Sequence, residues 1–202
     1  MQEIDLPLCL PIGNQKVGKV FTFTLPAIIT CPGASAWCRR RCYSRRYEQL
    51  RPNCRQAYAR NLALSLNPER FVQKVLASLP LYAGLVRIHV GGDFYSPEYI
   101  SLWQQVCQAR PHVRFWSYTR SWMIPVLRRK LDELRSLPNV QVFGSCDAGM
   151  PLPPSDWRTA FLANDPRATG VHCPEQQGEV NSCTSCGYCF DRENGNVIFK
   201  IH

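Results

Sequence analysis

The chain has 202 residues, 45% hydrophobic and 11% aromatic. That suits one medium domain with a packed core and argues against disorder. No apolar run reaches the ~18 residues of a membrane span, and Glu3 and Asp5 stand where an export signal would be basic, so the expectation is a cytoplasmic protein with no membrane partner. A formal charge of +9 points to an anionic partner or to an anionic group held inside.

In chain order, residues 20–25 (VFTFTL) alternate as a strand that Pro26 ends, and a cysteine-bearing loop follows. Residues 55–67 read as a helix with Tyr58, Leu62 and Leu66 on one face. Asn67 then caps a second helix that starts at Pro68 and carries Phe71, Val75 and Leu79 as its stripe. A strand over 85–90 runs into Gly91-Gly92-Asp93. Ser96 caps a helix to 109, followed by a strand over 113–118, a helix over 124–137 and a strand over 140–145. This rhythm predicts an α/β fold: a parallel sheet of βα units, a partial and open TIM-barrel-like arrangement, with site residues at the C-terminal strand ends. The division expected is an α/β domain over residues 1–150 and a loop-rich, cysteine-rich, metal-binding extension over 151–202, whose tail is too poor in apolar periodicity to build much core without a metal.

Eleven cysteines in a chain with no export signal are expected to be thiols rather than disulfides. Cys31, Cys38 and Cys42 form a C-x6-C-x3-C group followed by Tyr43. Three thiolates within one loop can bind three irons of a cubane and leave the fourth open as a reaction site, and a zinc site is the alternative. Cys173, Cys183, Cys186 and Cys189 form a C-x9-C-x2-C-x2-C group, whose C-x2-C-x2-C run resembles half of a bacterial ferredoxin ligand set. Four ligands close a site, so electron transfer or structure is its expected role, again with zinc as the alternative.

The loop after the first strand, with tyrosine after its last cysteine, resembles that of radical S-adenosylmethionine enzymes, whose motif is C-x3-C-x2-C; both gaps differ here. In those enzymes the second strand ends in a Gly-Gly-Glu-Pro-like segment, and here it ends in Gly91-Gly92-Asp93-Phe94. The resemblance implies S-adenosylmethionine as a cofactor, bound by Gly91, Gly92 and Asp93, with Asp93 in a catalytic position and a reducing redox partner. FTLPAIITCPGASAWCRRRCY, VRIHVGGDFYSPEYISLW, VRFWSYTRS, HCPEQQG and CTSCGYCF, in this order, resemble the phage and bacterial gene product eighty-eight family, over residues 21–190. That resemblance implies a layout rather than a reaction.

Other residues carry alternatives. Arg39, Arg40, Arg41, Arg45 and Arg46 surround Cys42 and suit either nucleic acid or charge compensation beside an anionic cluster. Trp37, Tyr43, Tyr47 and Tyr58 could stack on bases or pack in a core. Cys54 and Cys146 are candidates for a fourth ligand to the first group, and Cys9 and Cys107 read as buried apolar residues. His89 reads as a core histidine or an acid, and Asp147, Thr119 and Ser121 follow strand ends. Three functions compete: an iron–sulfur enzyme with two 4Fe-4S clusters, a non-catalytic iron–sulfur carrier or sensor, and a zinc protein that binds nucleic acid.

Overall fold

The structure, a computed structural model, describes residues 8–13 and 16–201; Glu3 and Asp5 lie outside them. Seven strands form one sheet: β1 (Phe21–Thr22), β2 (Leu85–Arg87), β3 (Arg114–Thr119), β4 (Val140–Ser145), β5 (Thr159–Leu162), β6 (Val171–His172) and β7 (Val197–Phe199). Their order is β1-β2-β3-β4-β5-β7-β6, and every pairing is parallel. The sheet is open, with β1 and β6 at its edges.

The helices are α1 (Ala36–Arg40), α2 (Tyr43–Leu50), α3 (Pro52–Ser65), α4 (Pro68–Ser78), α5 (Pro97–Ala109), α6 (Pro125–Arg135), α7 (Pro174–Gln177) and α8 (Cys183–Cys186). Their starts follow from local chemistry. The Asn67 side chain accepts from Arg70 N ahead of Pro68, and the Ser96 hydroxyl accepts from Tyr99 N ahead of Pro97. Pro52 and Pro125 open α3 and α6 in the same position.

β2 to β4 and the helices α4 to α6 lie close to the ranges expected from periodicity. The strand expected over 20–25 pairs only through Phe21 and Thr22, and the one over 85–90 through residues 85–87. Beyond them the chains still exchange bonds, from Phe23 N to Arg87 O and from Val90 N to Phe23 O. The helix expected from 55 starts at Pro52 and ends at Ser65. Residues 151–202 add β5, β6 and β7 to the same sheet, which periodicity did not reveal.

α4, α5 and α6 pack side by side on one face of the sheet. Between them and the strands Phe23, Phe71 and Trp103 meet edge to face at 5.1–5.8 Å, all fully buried. Each such side chain contributes about 2–3 kcal/mol through burial. The opposite face is covered by the C-terminal segment: Phe190 lies on Trp116 and Phe199 on Tyr118. Among the described residues no helix is long and apolar enough to cross a membrane.

Candidate functional site: two cysteine groups on one sheet

All strands being parallel, their C-terminal ends share one edge. Asp93, just past β2, is buried there. Its Oδ1 accepts from Thr119 Oγ1 at 2.5 Å and Phe94 N at 2.7 Å, and its Oδ2 from Arg120 N at 2.8 Å. Burial pushes the carboxyl upward in pKa, and these donors pull against it. Asp93 therefore ties the end of β2 to the end of β3. The two glycines before it allow close approach. A Cβ on Gly91 would stand 1.9 Å from Ser44 Oγ, and one on Gly92, at φ +77°, 2.5 Å from Leu25 Cβ. Both approaches are filled by the chain itself: α2 seats on the turn through Ser44, and Tyr43 Oη donates to Val90 O.

The first cysteine loop crosses this edge toward β4. Ser35 caps α1, accepting from Cys38 N at 3.1 Å, and its hydroxyl donates to Asp147 Oδ2 at 2.6 Å. Arg120 Nη1 donates to the same oxygen at 2.6 Å, both side chains nearly buried. Gly33 passes so close that a Cβ would meet Arg120 O at 2.0 Å. Arg39 braces the loop from within, donating to Ala34 O and Cys31 O. So held, Cys31, Cys38 and Cys42 are close enough to feel one another's charge, though not at metal-binding separation. Burial, Asp93, Cys38 and Cys42 push the Cys31 thiol up to about 12. Cys38 is raised by burial and its neighbours, and Arg120 is the cation that pulls it back. Burial is the main cause of both shifts and the neighbouring thiols add to it; a bound cation would favour the thiolate forms.

The second group lies against the sheet face opposite the helices. Cys173 N donates to Ile198 O at 2.9 Å, and Cys183 N to Lys16 O at 2.9 Å. Ser182 and Ser185 form a capping box at α8, and Gly187 ends it at φ +76°, turning the chain toward Cys189. Burial, Cys173 and Cys183 push Cys189 up to about 12, while the neighbouring Tyr118 hydroxyl and Arg158 pull it down. Cys183 is raised by burial, Cys173 and Glu175 and lowered by Arg87.

Arg87 is a residue periodicity did not single out. Val86 and Ile88 on either side of it are fully buried in the helix-side core. Arg87 points the other way, with its Cζ 5.3 Å from the centre of the Tyr118 ring. Its Nε is enclosed with no hydrogen-bond partner. Burial works against its charge, but Tyr43, Tyr118, Cys183 and Cys189 more than offset that and raise its pKa. Tyr43 in turn feels Cys42 and Cys38, so Arg87 stands between the two groups. A charged residue in the middle of an apolar strand, LVRIHV, is the signal that could have found it.

The remaining cysteines separate. Cys54, on α3, lies near Tyr58 and Cys9. Cys146 is buried near Asp165, Arg167 and Arg120, pushed up to about 11 by burial. Cys107 is fully buried in the helix-side core. His89 hydrogen-bonds Tyr99 Oη at 2.9 Å through Nε2, and burial lowers its pKa to about 3, so it is a neutral core residue. Among the described residues no three His, Cys, Asp or Glu side chains stand at metal-binding separation.

These features define a class: an α/β protein with an open parallel sheet that gathers thiols at its C-terminal edge and on its helix-free face. The chain belongs to the Gene product 88 family, which matches residues 10–150. That span holds the first cysteine group, Asp93, Arg120 and Asp147; the second group lies beyond it. It is 29% identical to the Gene 88 protein of Mycobacterium phage L5 and 26% identical to that of Mycobacterium phage D29, each alignment covering 93% of this chain and 90% of the relative. No solved structure matches the chain.

Proposed function

We propose that the chain is a two-centre iron–sulfur protein, with an open centre on Cys31, Cys38 and Cys42 and a closed one on Cys173, Cys183, Cys186 and Cys189. The observation that carries this reading is Arg87, a half-buried guanidinium with an enclosed, unbonded Nε and no carboxylate partner among the described residues, lying over Tyr118 on the sheet face that also carries Cys183 and Cys189. An enclosed N–H with no acceptor, on a half-buried cation with no counterion, costs stability. Anionic cysteine-ligated centres, at about −1 for three thiolates and −2 for four, supply its partner. Under this reading residues 151–202 are a metal-stabilised extension, and the βα units with their edge site form a partial, TIM-barrel-like layout of radical S-adenosylmethionine type.

When bound, the first cluster supplies a one-electron reductant with one iron free for a small zwitterion. Asp93 has three of its acceptor positions in use, so its part is to hold the β2 and β3 ends and shape the rim beside that iron. Anaerobic purification with iron, sulfide and zinc analysis tests the reading. The result expected is brown protein with about eight irons and eight sulfides, as two cubanes require, and colourless protein with zinc in both sites would overturn it. The finer reaction is tested by adding S-adenosylmethionine and dithionite. A bound, reduced cluster would supply the one electron that cleaves the sulfonium, and methionine with 5′-deoxyadenosine, its hydrogen drawn from protein or buffer, would be the products read. Iron-replete protein that yields none is a redox carrier instead.

A further inference from the structure

The basic excess of this chain is concentrated in one place. Residues 31–60 hold eight arginines and a single acidic residue, Glu48, so they contribute +7 of the net +9. These residues form α1, α2 and the first turns of α3, the connection that crosses from β1 toward α4 and β2. Neither short helix is there for the core: α1 buries no residue and α2 buries only Ser44. Arg40, Arg41, Arg45, Arg46, Arg51 and Arg55 are exposed. Glu48 is occupied, accepting from Ala27 N at 2.7 Å.

Charge compensation of the first cysteine group does not account for these arginines. The cation that lowers the Cys38 thiol is Arg120, from the far side of the loop. Arg39 is spent on the carbonyls of Ala34 and Cys31. The others face solvent beside apolar surface: Tyr47 is 49% exposed, Leu50 69% and Ile29 73%. Arg51 Cζ lies 5.0 Å from the centre of the Tyr47 ring, on one of its faces. Between the turn at 27–29, α2 and the start of α3 is a cleft of ≈ 330 Å³, lined by Ala27, Ile28, Ile29, Gln49, by Glu48, whose carboxylate is held by Ala27 N, and by both Arg45 and Arg55. Ile28 sits at φ +72°, a conformation a β-branched residue adopts only under constraint, and the Glu48 bond to Ala27 supplies it.

We propose that this face binds single-stranded nucleic acid, with a backbone phosphate between Arg45 and Arg55 in the cleft and a base stacked on Tyr47. Two guanidiniums at the wall of a small cleft fit a phosphate. An exposed tyrosine beside a row of arginines fits an unpaired base and has nothing to stack on in a closed duplex. The inference does not depend on what the cysteines bind.

The test uses the full chain and a fluorescent twelve-nucleotide oligo(dT) or oligo(U), titrated from 50 to 300 mM salt. Affinity should fall with salt, and R45Q/R55Q should bind about tenfold more weakly with a log–log salt slope shallower by about 1.4, as two lost phosphate contacts require. Tyr47→Ala should lose on the order of tenfold with the slope unchanged. R114Q/R129Q removes two exposed arginines elsewhere and should change neither. Equal weakening by R114Q/R129Q would overturn the proposal, as would duplex bound as tightly as single strand. It would also be overturned by stronger binding to phosphatidylglycerol vesicles, or by a loss of metal in R45Q/R55Q at unchanged affinity.

Discussion

The two cysteine groups are held to the same sheet by different physics. The first sits on a polar seam at the strand ends, where Ser35, Arg120 and Asp147 are fastened by hydrogen bonds and a buried ion pair, and Asp93 joins β2 to β3 beneath them. The second lies on the sheet face among aromatic rings and cations: Phe190 on Trp116, Arg158 4.2 Å from the Phe143 ring centre, Arg87 against Tyr118. The first loop is therefore placed by the chain's own bonds, whatever its thiols bind. The second belongs to a segment with two four-residue helices and a two-residue edge strand, too little regular structure to hold itself. Under the proposed two-centre reading its order depends on a ligand as well as on β5 and β7, and substitutions in the two groups should behave differently.

The largest difference is expected from one cysteine in each. Cys189→Ser should lose the second centre, lower Tm by more than about 10 °C because a structural metal site contributes folding energy outright, and open residues 165–196 to protease. Cys38→Ser should lose iron as well but move Tm by only about 3 °C, the scale of one ordinary destabilising substitution in a chain of this size. Thermal melts and metal analysis of both variants decide it, and equal shifts would erase the distinction.

Next in size is the seam itself. Asp147→Asn leaves Arg120 buried without its charge partner, which costs about 3–5 kcal/mol. It also weakens the bond from Ser35. Trypsin should then cut after the arginines at 39–46 while the second group keeps its metal, which limited proteolysis with mass spectrometry reads directly. Simultaneous release of both groups would show that the seam supports the whole sheet.

How much of this was legible in the sequence follows from what periodicity reports. The core strands and helices announce themselves because Phe71, Val75 and Leu79, or Ile100, Trp103 and Cys107, must share a face to be buried. Caps at Asn67 and Ser96 fixed two helix starts to the residue. β5 and β7 gave no such signal: four and three residues long, they are strands because β4 offers an open edge. The cysteine spacings located both groups but not their setting. That Ser35 reaches Asp147 across 112 residues, or that Arg87 opposes Tyr118, depends on register between strands, which no local pattern encodes.

Arg87 turns the comparison into a question of sign. With no anion near it, the half-buried guanidinium with its unbonded Nε is a liability, and Arg87→Leu should stabilise the metal-free chain by about 1 kcal/mol. With the second centre filled, the same change removes a counterion and should destabilise by a similar amount and weaken metal retention. Melting Arg87→Leu and the parent chain with and without chelator gives the four values needed. The same sign in both states would remove Arg87 from any role at the thiols.

The last effect expected is a pH slope that belongs to the edge and not to the face. His89 lies on the helix side of the sheet, just before the double glycine, at φ +63°, with Nδ1 unpartnered. Its folded pKa is lowered to about 3 by burial. The unfolded chain takes up a proton near 6.5 that the folded chain refuses, so stability is full above that pH and falls as pH drops toward 3. The steepest loss is about 1.4 kcal/mol per pH unit. Asparagine tolerates the left-handed backbone and does not titrate, so His89→Asn should flatten that slope at some cost in stability from the lost Tyr99 bond. Hydrogen exchange places the event. As pH falls from 6 to 4, amides at 91–94 and 119–121 should open in the parent chain before those at 171–173, and in His89→Asn that order should disappear. Slopes unchanged by the substitution would mean that the acid response comes from carboxylates such as Asp165, whose bonds to Arg167 hold its pKa below the ordinary range.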